Sequence, residues 1–366
     1  MIKKLDWYIL KKFLTTTIFM VLIFSVIAVV IDTSEKTDDF VKSGLSGYQI
    51  LTQYYLGFVP FIISMIFPLM VFIAVIMFTS KMAGRSEIIA ILAGGIKFNR
   101  MLYPYMMGAF LFGGIFWVAT QYFIPKANVL RATFQARYID SESSYEKQEY
   151  YKKRRDYYIR VDSNTYAGMR TYDSSTKTAQ GGFFMERIEK GKVVYNLRAE
   201  NISWDTAHRN WKMTNIVERS VDGTKETLTR TPVRNIKLTL RPDQIEDKYL
   251  KDKMTTPELM DFIAAEEARG TEGLNTYKVE RYRRDATPFS VVLLTIMGAV
   301  IASRKTRGGS GLHLASGIII AALFVVMDKF SLTFSTKGNF SPFLAAWTPN
   351  IIFAIVTAFM YRNAPK

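Results

Sequence analysis

The sequence predicts an α-helical membrane protein of six transmembrane helices, arranged 3+3 around an inserted extracytoplasmic β domain. Three observations carry that prediction: apolar residues gathered in six long blocks, a polar middle whose hydrophobic period changes to two, and lysine and arginine crowded onto one set of short loops. Over 366 residues the mean hydropathy is only +0.06, because the apolar blocks flank the polar stretch and the two average out.

A bilayer core of roughly 30 Å needs about 20 apolar residues in a helix. Windows of that kind run from Phe13 to Ile31, Tyr55 to Phe78, Met101 to Phe123, Ala286 to Ser303, Leu312 to Met327 and Leu344 to Tyr361. The first follows Lys3, Lys4, Lys11 and Lys12 as a signal peptide would. It is too long for a usual signal core, however, and Asp32-Thr33-Ser34-Glu35 offers no small-residue cleavage site, so it reads as a retained span. Lys81, Arg85, Lys97 and Arg100 lie between the second and third windows, Arg304, Lys305 and Arg307 between the fourth and fifth, and Arg362 and Lys366 in the tail. The alternate loops carry Asp32, Glu35, Asp38 and Asp39 against Lys36 and Lys42, then Lys337 near Asp328 and Lys329. Both termini are therefore expected in the cytoplasm and the block from about 125 to 285 outside it.

Within that block, Tyr158-Ile159-Arg160-Val161, Val193 to Leu197 and Ile236-Lys237-Leu238-Thr239-Leu240 read as strands. Turn signals at Lys190-Gly191, Asp205 to Asn210 and Asp222-Gly223 space them as in a sandwich or jelly roll. Trp204 and Trp211 bracket one hairpin as core anchors. Thr255-x-x-Glu258 is a capping box, with Pro257 in the first turn and Gly270 as a stop, for a helix over about 256–269. Three domains follow: 1–124 with the first three spans, 125–285 with the β domain, and 286–366 with the last three spans.

The net charge of +16 comes with no nucleic-acid-binding motif and lies largely beside the apolar blocks, which favours a membrane surface or anionic lipid as partner. With no cysteine and only His208 and His313, disulfides, thiolate metal sites and most zinc chemistry are excluded. No P-loop, Gly-x-Ser-x-Gly or His-Glu-x-x-His motif occurs, so no catalytic residue, metal or cofactor is expected in this chain. Mid-span carboxylates are almost absent, contrary to the needs of an ion-coupled transporter. A permease driven by a separate ATPase fits these absences; a membrane-anchored sensor with a ligand-binding β domain is the competing class, although it lacks a cytoplasmic output domain. A membrane enzyme acting on lipid head groups is a third, without a visible polar cluster.

Between the second and third windows, Arg85-Ser86-Glu87-Ile88 opens a short helix, about 85–94, with a carboxylate in its first turn and Gly94-Gly95 at its end. Its acidic start and apolar body suit docking into a groove on a partner, or lying flat on lipid.

At this point the residues resemble the LptF/LptG permease family, the membrane pair of lipopolysaccharide export, nearly end to end. Leu5-Asp6-x-Tyr8-Ile9 is similar to the family's opening, and Pro60 and Pro68 to its paired prolines. Arg85-Ser86-Glu87 with Ala93-Gly94-Gly95 resembles its ATPase-coupling helix, although the family usually has Ser-Gly or Cys-Gly where Ala93-Gly94 stands. Pro125, Ala199-x-x-x-x-Trp204 with Trp211, Glu258-Leu259-x-x-Phe262-Ile263, Arg269-Gly270, Tyr277, Glu280, Arg284, Ala286-Thr287-Pro288 and Leu344-Ala345-Ala346-Trp347-x-Pro349 continue the resemblance in order. The Leu5-Asp6 and Ala286-Thr287-Pro288 segments lean toward the G-like partner.

The resemblance implies an inner-membrane subunit of an ABC transporter with a periplasmic β-jellyroll. Its expected partners are a paralogous LptF-like or LptG-like permease, a homodimeric LptB-like ATPase that binds ATP and magnesium, and LptC/LptA-like bridge proteins. Lipopolysaccharide would enter sideways between the first and fifth spans. For such a cargo Phe24, Phe58, Phe61, Met65 and Phe67 are candidates for an apolar cavity wall, although their helical spacing equally suits packing between spans. Lys36 and Lys42 are candidates for its phosphates, and Asp328 and Lys329, at the expected outer end of the fifth span, for a gate.

Overall fold

The computed structural model describes residues 3–140, 157–170, 172–173, 176–238, 249–271, 273–304 and 309–363. Thr239, Leu240, Lys305, Arg307 and Lys366, used above, lie outside them. The chain divides into a helical unit, Met1–Gln135 with Asp252–Leu259 and Asn275–Lys366, and a β unit, Ala136–Lys251 with Met260–Leu274.

Six helices are long and apolar enough to cross a membrane: Lys4–Glu35, Gly47–Gly84, Phe98–Ile139, Asn275–Ala302, Gly309–Lys337 and Pro342–Arg362. Five of them contain an expected window and extend beyond it at both ends; the fourth begins earlier than its window and stops at Ala302, one residue short of Ser303. At 1.5 Å per residue the first is roughly 48 Å long, well over the hydrocarbon thickness, so polar turns are added at both ends. The second and third incorporate π-helical turns at Leu51–Tyr55 and Ala119–Phe123.

The fourth span is the centre of the unit. Of its apolar window 67% is buried, against 17% for the fifth and 6% for the first. Val291, Leu294, Met297 and Ala299 are fully enclosed, and the helix packs against the second, third and sixth spans. Close approach depends on small residues, as membrane helices require. A Cβ on Gly57 would stand 2.5 Å from the carbonyl oxygen of Ala127 and 2.7 Å from the amide nitrogen of Arg131.

Prolines inside spans free a carbonyl one turn back, and in lipid it needs another donor. Pro349 frees that of Ala345, which accepts from the Ser331 hydroxyl at 2.7 Å. Pro288 frees that of Arg284, met by Thr120 of the third span at 3.4 Å. Asn350 adds a buried junction, accepting from Ser290 at 2.7 Å and donating to the Ala286 carbonyl at 2.8 Å.

The β unit is a seven-stranded antiparallel sheet in the order β1-β2-β4-β5-β6-β7, with β3 on β4. The strands are β1 Tyr157–Arg160, β2 Thr165–Met169, β3 Tyr172–Asp173, β4 Thr178–Glu189, β5 Lys192–Asp205, β6 Asn210–Asp222 and β7 Lys225–Ile236. Lys190 and Gly191 both have positive φ, +51° and +77°, which the tight β4–β5 hairpin requires. Gly223, at +61°, turns β6 into β7. Such short turns make consecutive strands neighbours. The described strands therefore form a meander, and no Greek-key crossover of the jelly-roll kind occurs among the described residues. Trp204 and Trp211 face each other across β5 and β6 with rings 5.3 Å apart, and Trp211 is fully buried with Leu197, Ile202, Phe183 and Met213. The inward face changes parity between Ala199 and Ile202 and, opposite, between Ile216 and Met213. Asn215 has a φ of +51° there, so both strands carry an extra residue at one corner of the sheet. The helix Thr256–Arg269 begins as expected, with Glu258 accepting from the amide and hydroxyl of Thr255 at 2.8 and 2.7 Å.

Gly57→Ala forces backbone apart and is expected to cost about 1–3 kcal/mol in thermal unfolding of the detergent-solubilised protein. Gly114→Ala, where a Cβ meets nothing within 4 Å, serves as the control and is neutral or stabilising; equal melting of the two variants would contradict the packing argument.

Candidate functional site

The short helix predicted between the second and third spans is present as Glu87–Ala93, with Gly94 closing it. Ser86 makes the turn into it in the left-handed region, φ 59°, a conformation that costs a residue with a side chain of order 1 kcal/mol. Glu87 does not project freely: Tyr8 donates to its carboxylate at 2.9 Å and Lys12 at 3.1 Å, both from the first span, and Arg85 lies 4.0 Å away. Burial pushes the Glu87 carboxyl up, but the bonds from Tyr8 and Lys12 outweigh it and hold the group below the ordinary glutamate range. A carboxyl lowered on folding stabilises the fold above its unfolded pKa and loses that contribution as pH falls through the folded value, so this contact is intact at neutral pH.

Ile88 is buried in the core that includes Ile9, Phe13, Met101 and Tyr105, with Ile91 and Leu92 against it. The outward apolar surface is instead Ile89, 49% exposed, with Ala90 and Ala93 beside it. The helix is thus two-faced: one side anchors it and the other is open.

At the other end of the first span lies a second polar cluster. Asp32, 6% exposed, receives Lys36 and the Tyr54 hydroxyl, the latter at 3.1 Å. Lys36 also donates to Tyr54 and lies over the rings of Tyr54 and Phe58, at 4.9 and 5.5 Å. Lys36 is therefore an internally paired cation in this structure. Arg131, buried, stacks over Phe61 at 3.8 Å and bonds Asn128 and Gln135. Lys42 is exposed at the end of the short helix Thr37–Lys42.

The five candidates for an apolar wall fall in different surroundings. Met65 is exposed and Phe24 half-buried. Phe58 is buried against Tyr54, and Phe61 lies under Arg131. Phe67 stacks on Phe116 of the third span at 4.7 Å, on the packed side of its helix. Asp328 is not at the end of its helix, which continues to Lys337. Serines and threonines lower the hydropathy of that extension, but hydroxyls such as that of Ser335, bonded to the Phe340 carbonyl at 2.9 Å, satisfy themselves locally. Asp328 accepts from Arg283 at 3.0 Å, while Lys329 is exposed. Charges do therefore occur inside these helices, Asp328 with Arg283 as its partner and Lys329 at the exposed surface, because the helices outrun their apolar windows.

Composition alone gave no sign of one arrangement: Asp6, 2% exposed, takes a two-pronged contact from Arg100 at 2.6 Å for both bonds. The available signal was Asp6 as an acidic residue among four lysines. Among the described residues, no group of three or more His, Asp or Glu side chains is placed to hold a metal ion.

The first and fifth spans are the least covered: in the first Ile18, Phe19, Leu22, Val26 and Val30 are exposed, and in the fifth Leu312, Ile319, Leu323, Phe330 and Phe334. The second and fourth are the most enclosed, and the third and sixth pack against the fourth on one side while exposing residues such as Ile115 and Ile355 on the other.

The family model for the lipopolysaccharide export system permease LptF/LptG matches residues 7–363. The chain is 20% identical over 365 residues to the lipopolysaccharide export system permease protein LptG of Escherichia coli strain K12, with 97% of each chain covered. It has the same identity and coverage with LptG of Escherichia coli O6:H1 strain CFT073.

Lys36→Met strands the buried Asp32 carboxylate and is expected to lower stability by about 3 kcal/mol, whereas Asp32→Leu/Lys36→Met recovers most of the loss. Equal losses in the single and double variants, measured by thermal unfolding, would show that the two groups are not coupled.

Proposed function

The chain belongs to the LptF/LptG family of lipopolysaccharide export permeases, and on that premise we propose that it is one permease subunit of an ABC transporter that extracts lipopolysaccharide from the inner membrane. ATP is hydrolysed, with magnesium, by a separate homodimeric ATPase, and a second permease of the same family completes the pore. The observation that carries this reading is the pairing of a two-faced cytoplasmic helix with two uncovered apolar spans. The first feature suits a soluble motor and the second a membrane partner with lipid between.

The energetics favour a dry path. Moving acyl chains into water costs about 0.8 kcal/mol per CH₂, so exposing several chains would exceed any plausible yield of one ATP. In this proposal the chains pass between the first span of one permease and the fifth span of the other. Phe24, Met65 and the exposed first-span residues form the wall, with Phe58, Phe61 and Phe67 supporting it from behind. Lys42 meets the anionic head first; Lys36 becomes available when a phosphate displaces Asp32. Asp328 and Lys329 flank the opposite gate helix. The motor docks on Arg85, Ser86, Glu87 and the outward Ile89, with Ile88 as the internal anchor. Both termini are cytoplasmic, and the β unit is periplasmic, where it hands cargo to bridge proteins.

Ile89→Asp is expected to leave the permease folded and to reduce co-purification of the ATPase about tenfold, with Glu87→Ala reducing it less; full association and transport in both would remove the docking assignment. In this cysteine-free chain, Thr224→Cys is expected to react with a membrane-impermeant thiol reagent from the periplasm and Asn363→Cys only after the inner membrane is opened. The reverse pattern would invert the topology.

A further inference from the structure

The contacts of the coupling helix are unevenly distributed. Its covalent connections are soft: Gly84, the left-handed Ser86, Gly94 and Gly95, with a φ of +82° at Gly95 and open space around Gly84 and Gly95. The side-chain hydrogen bonds of Glu87 run to the start of the first span. Glu87 at its beginning takes Tyr8 and Lys12, and Lys12 additionally bonds the Tyr8 hydroxyl and lies 4.1 Å over its ring. Arg100, beyond its end, takes Asp6 through both carboxylate oxygens. Between these two contacts, Ile88 shares a buried core with Ile9 and Phe13, and Leu5, Ile91 and Leu92 pack onto it. The start of the coupling helix is thus bonded to the first turns of the first span, Ile88 lies in the same core as Ile9 and Phe13, and Arg100 of the third span holds the same end of the first span.

We propose that the coupling helix and the first span form one mechanical piece, stapled by Tyr8 and Lys12 on Glu87, while Asp6 on Arg100 fixes the same end of the first span to the third, so that displacement of the coupling helix by its motor is delivered to the gate helix directly. The inference rests on the permease reading above and assigns new positioning residues to it. Covalent distance supports it: the path along the chain from Glu87 to the first span traverses the whole second span, whereas the staples span one or two side chains. The first span is suited to receive such a push, since its middle is almost uncovered and little packing has to be broken when it tilts.

The test uses the complete complex of both permeases and the ATPase in proteoliposomes, measuring ATP hydrolysis and lipopolysaccharide extraction together. Tyr8 is exposed and Lys12 half-buried, and neither belongs to the buried core, so Tyr8→Phe/Lys12→Ala is expected to fold. It is expected to keep its ATPase rate while extraction per ATP falls about fivefold or more, the lower end of usual coupling between sites. Lys12→Arg, which preserves the charge on Glu87, keeps extraction per ATP near the unmodified value. A wild-type complex that hydrolyses ATP without moving lipopolysaccharide would overturn the permease reading itself. Normal wild-type extraction with an undiminished Tyr8→Phe/Lys12→Ala variant would overturn the staple alone.

Discussion

A helix whose apolar middle is left uncovered has to be held by its ends, and the ion pairs at the two ends of the first span do this. At one end Asp6 meets Arg100 and Lys12 meets Glu87; at the other Asp32 meets Lys36 and Tyr54. Exposed pairs of this kind contribute little, but Asp6 and Asp32 are almost fully enclosed, and enclosed carboxylates demand their partners. The geometry is correspondingly specific, two-pronged at Asp6 and shared between a cation and a phenol at Asp32. Between them lies an apolar stretch left open by the rest of the chain, so that it can face lipid without loss of internal packing.

The rest of the helical unit behaves in the opposite way. The fourth span has hardly any free surface, and its proline and polar residues are tolerated because neighbours answer them: Thr120 for the carbonyl released by Pro288, Asn350 for Ser290 and the Ala286 carbonyl. The second and fourth spans are enclosed by their neighbours, whereas the first and fifth are loosely covered.

The spans were legible because twenty consecutive apolar residues have few other uses. Their true ends were not, because a helix continues through serine, threonine and paired charges once neighbouring spans satisfy them, as from Asp328 to Lys337. The short helix Glu87–Ala93 was recognisable from its glycines and acidic start, but its faces were not. Ile88 and Ile89 are equivalent in sequence, and only burial in the core shared by several helices makes one an anchor and the other open surface. Lys36 read as a cation beside a lipid head group; its pairing with Asp32 one helical turn away was available from spacing, its contact with Tyr54 was not. Likewise the turns of the β unit could be read from Lys190-Gly191 and Asp222-Gly223, whereas the corner at Asn215 follows from paired irregularities on two strands that no single strand reveals.

By itself the sequence determined which stretches lie in lipid, where strands replace helices and which family the chain resembles, because hydrophobic period and length act locally along the chain. Tertiary structure alone decided which charges are partners, which face of each span is covered and that the first span is fastened to the coupling helix. Those are contacts between residues as far apart as Asp6 and Arg100, and their energy exists only once several helices have excluded water and lipid from the space between them.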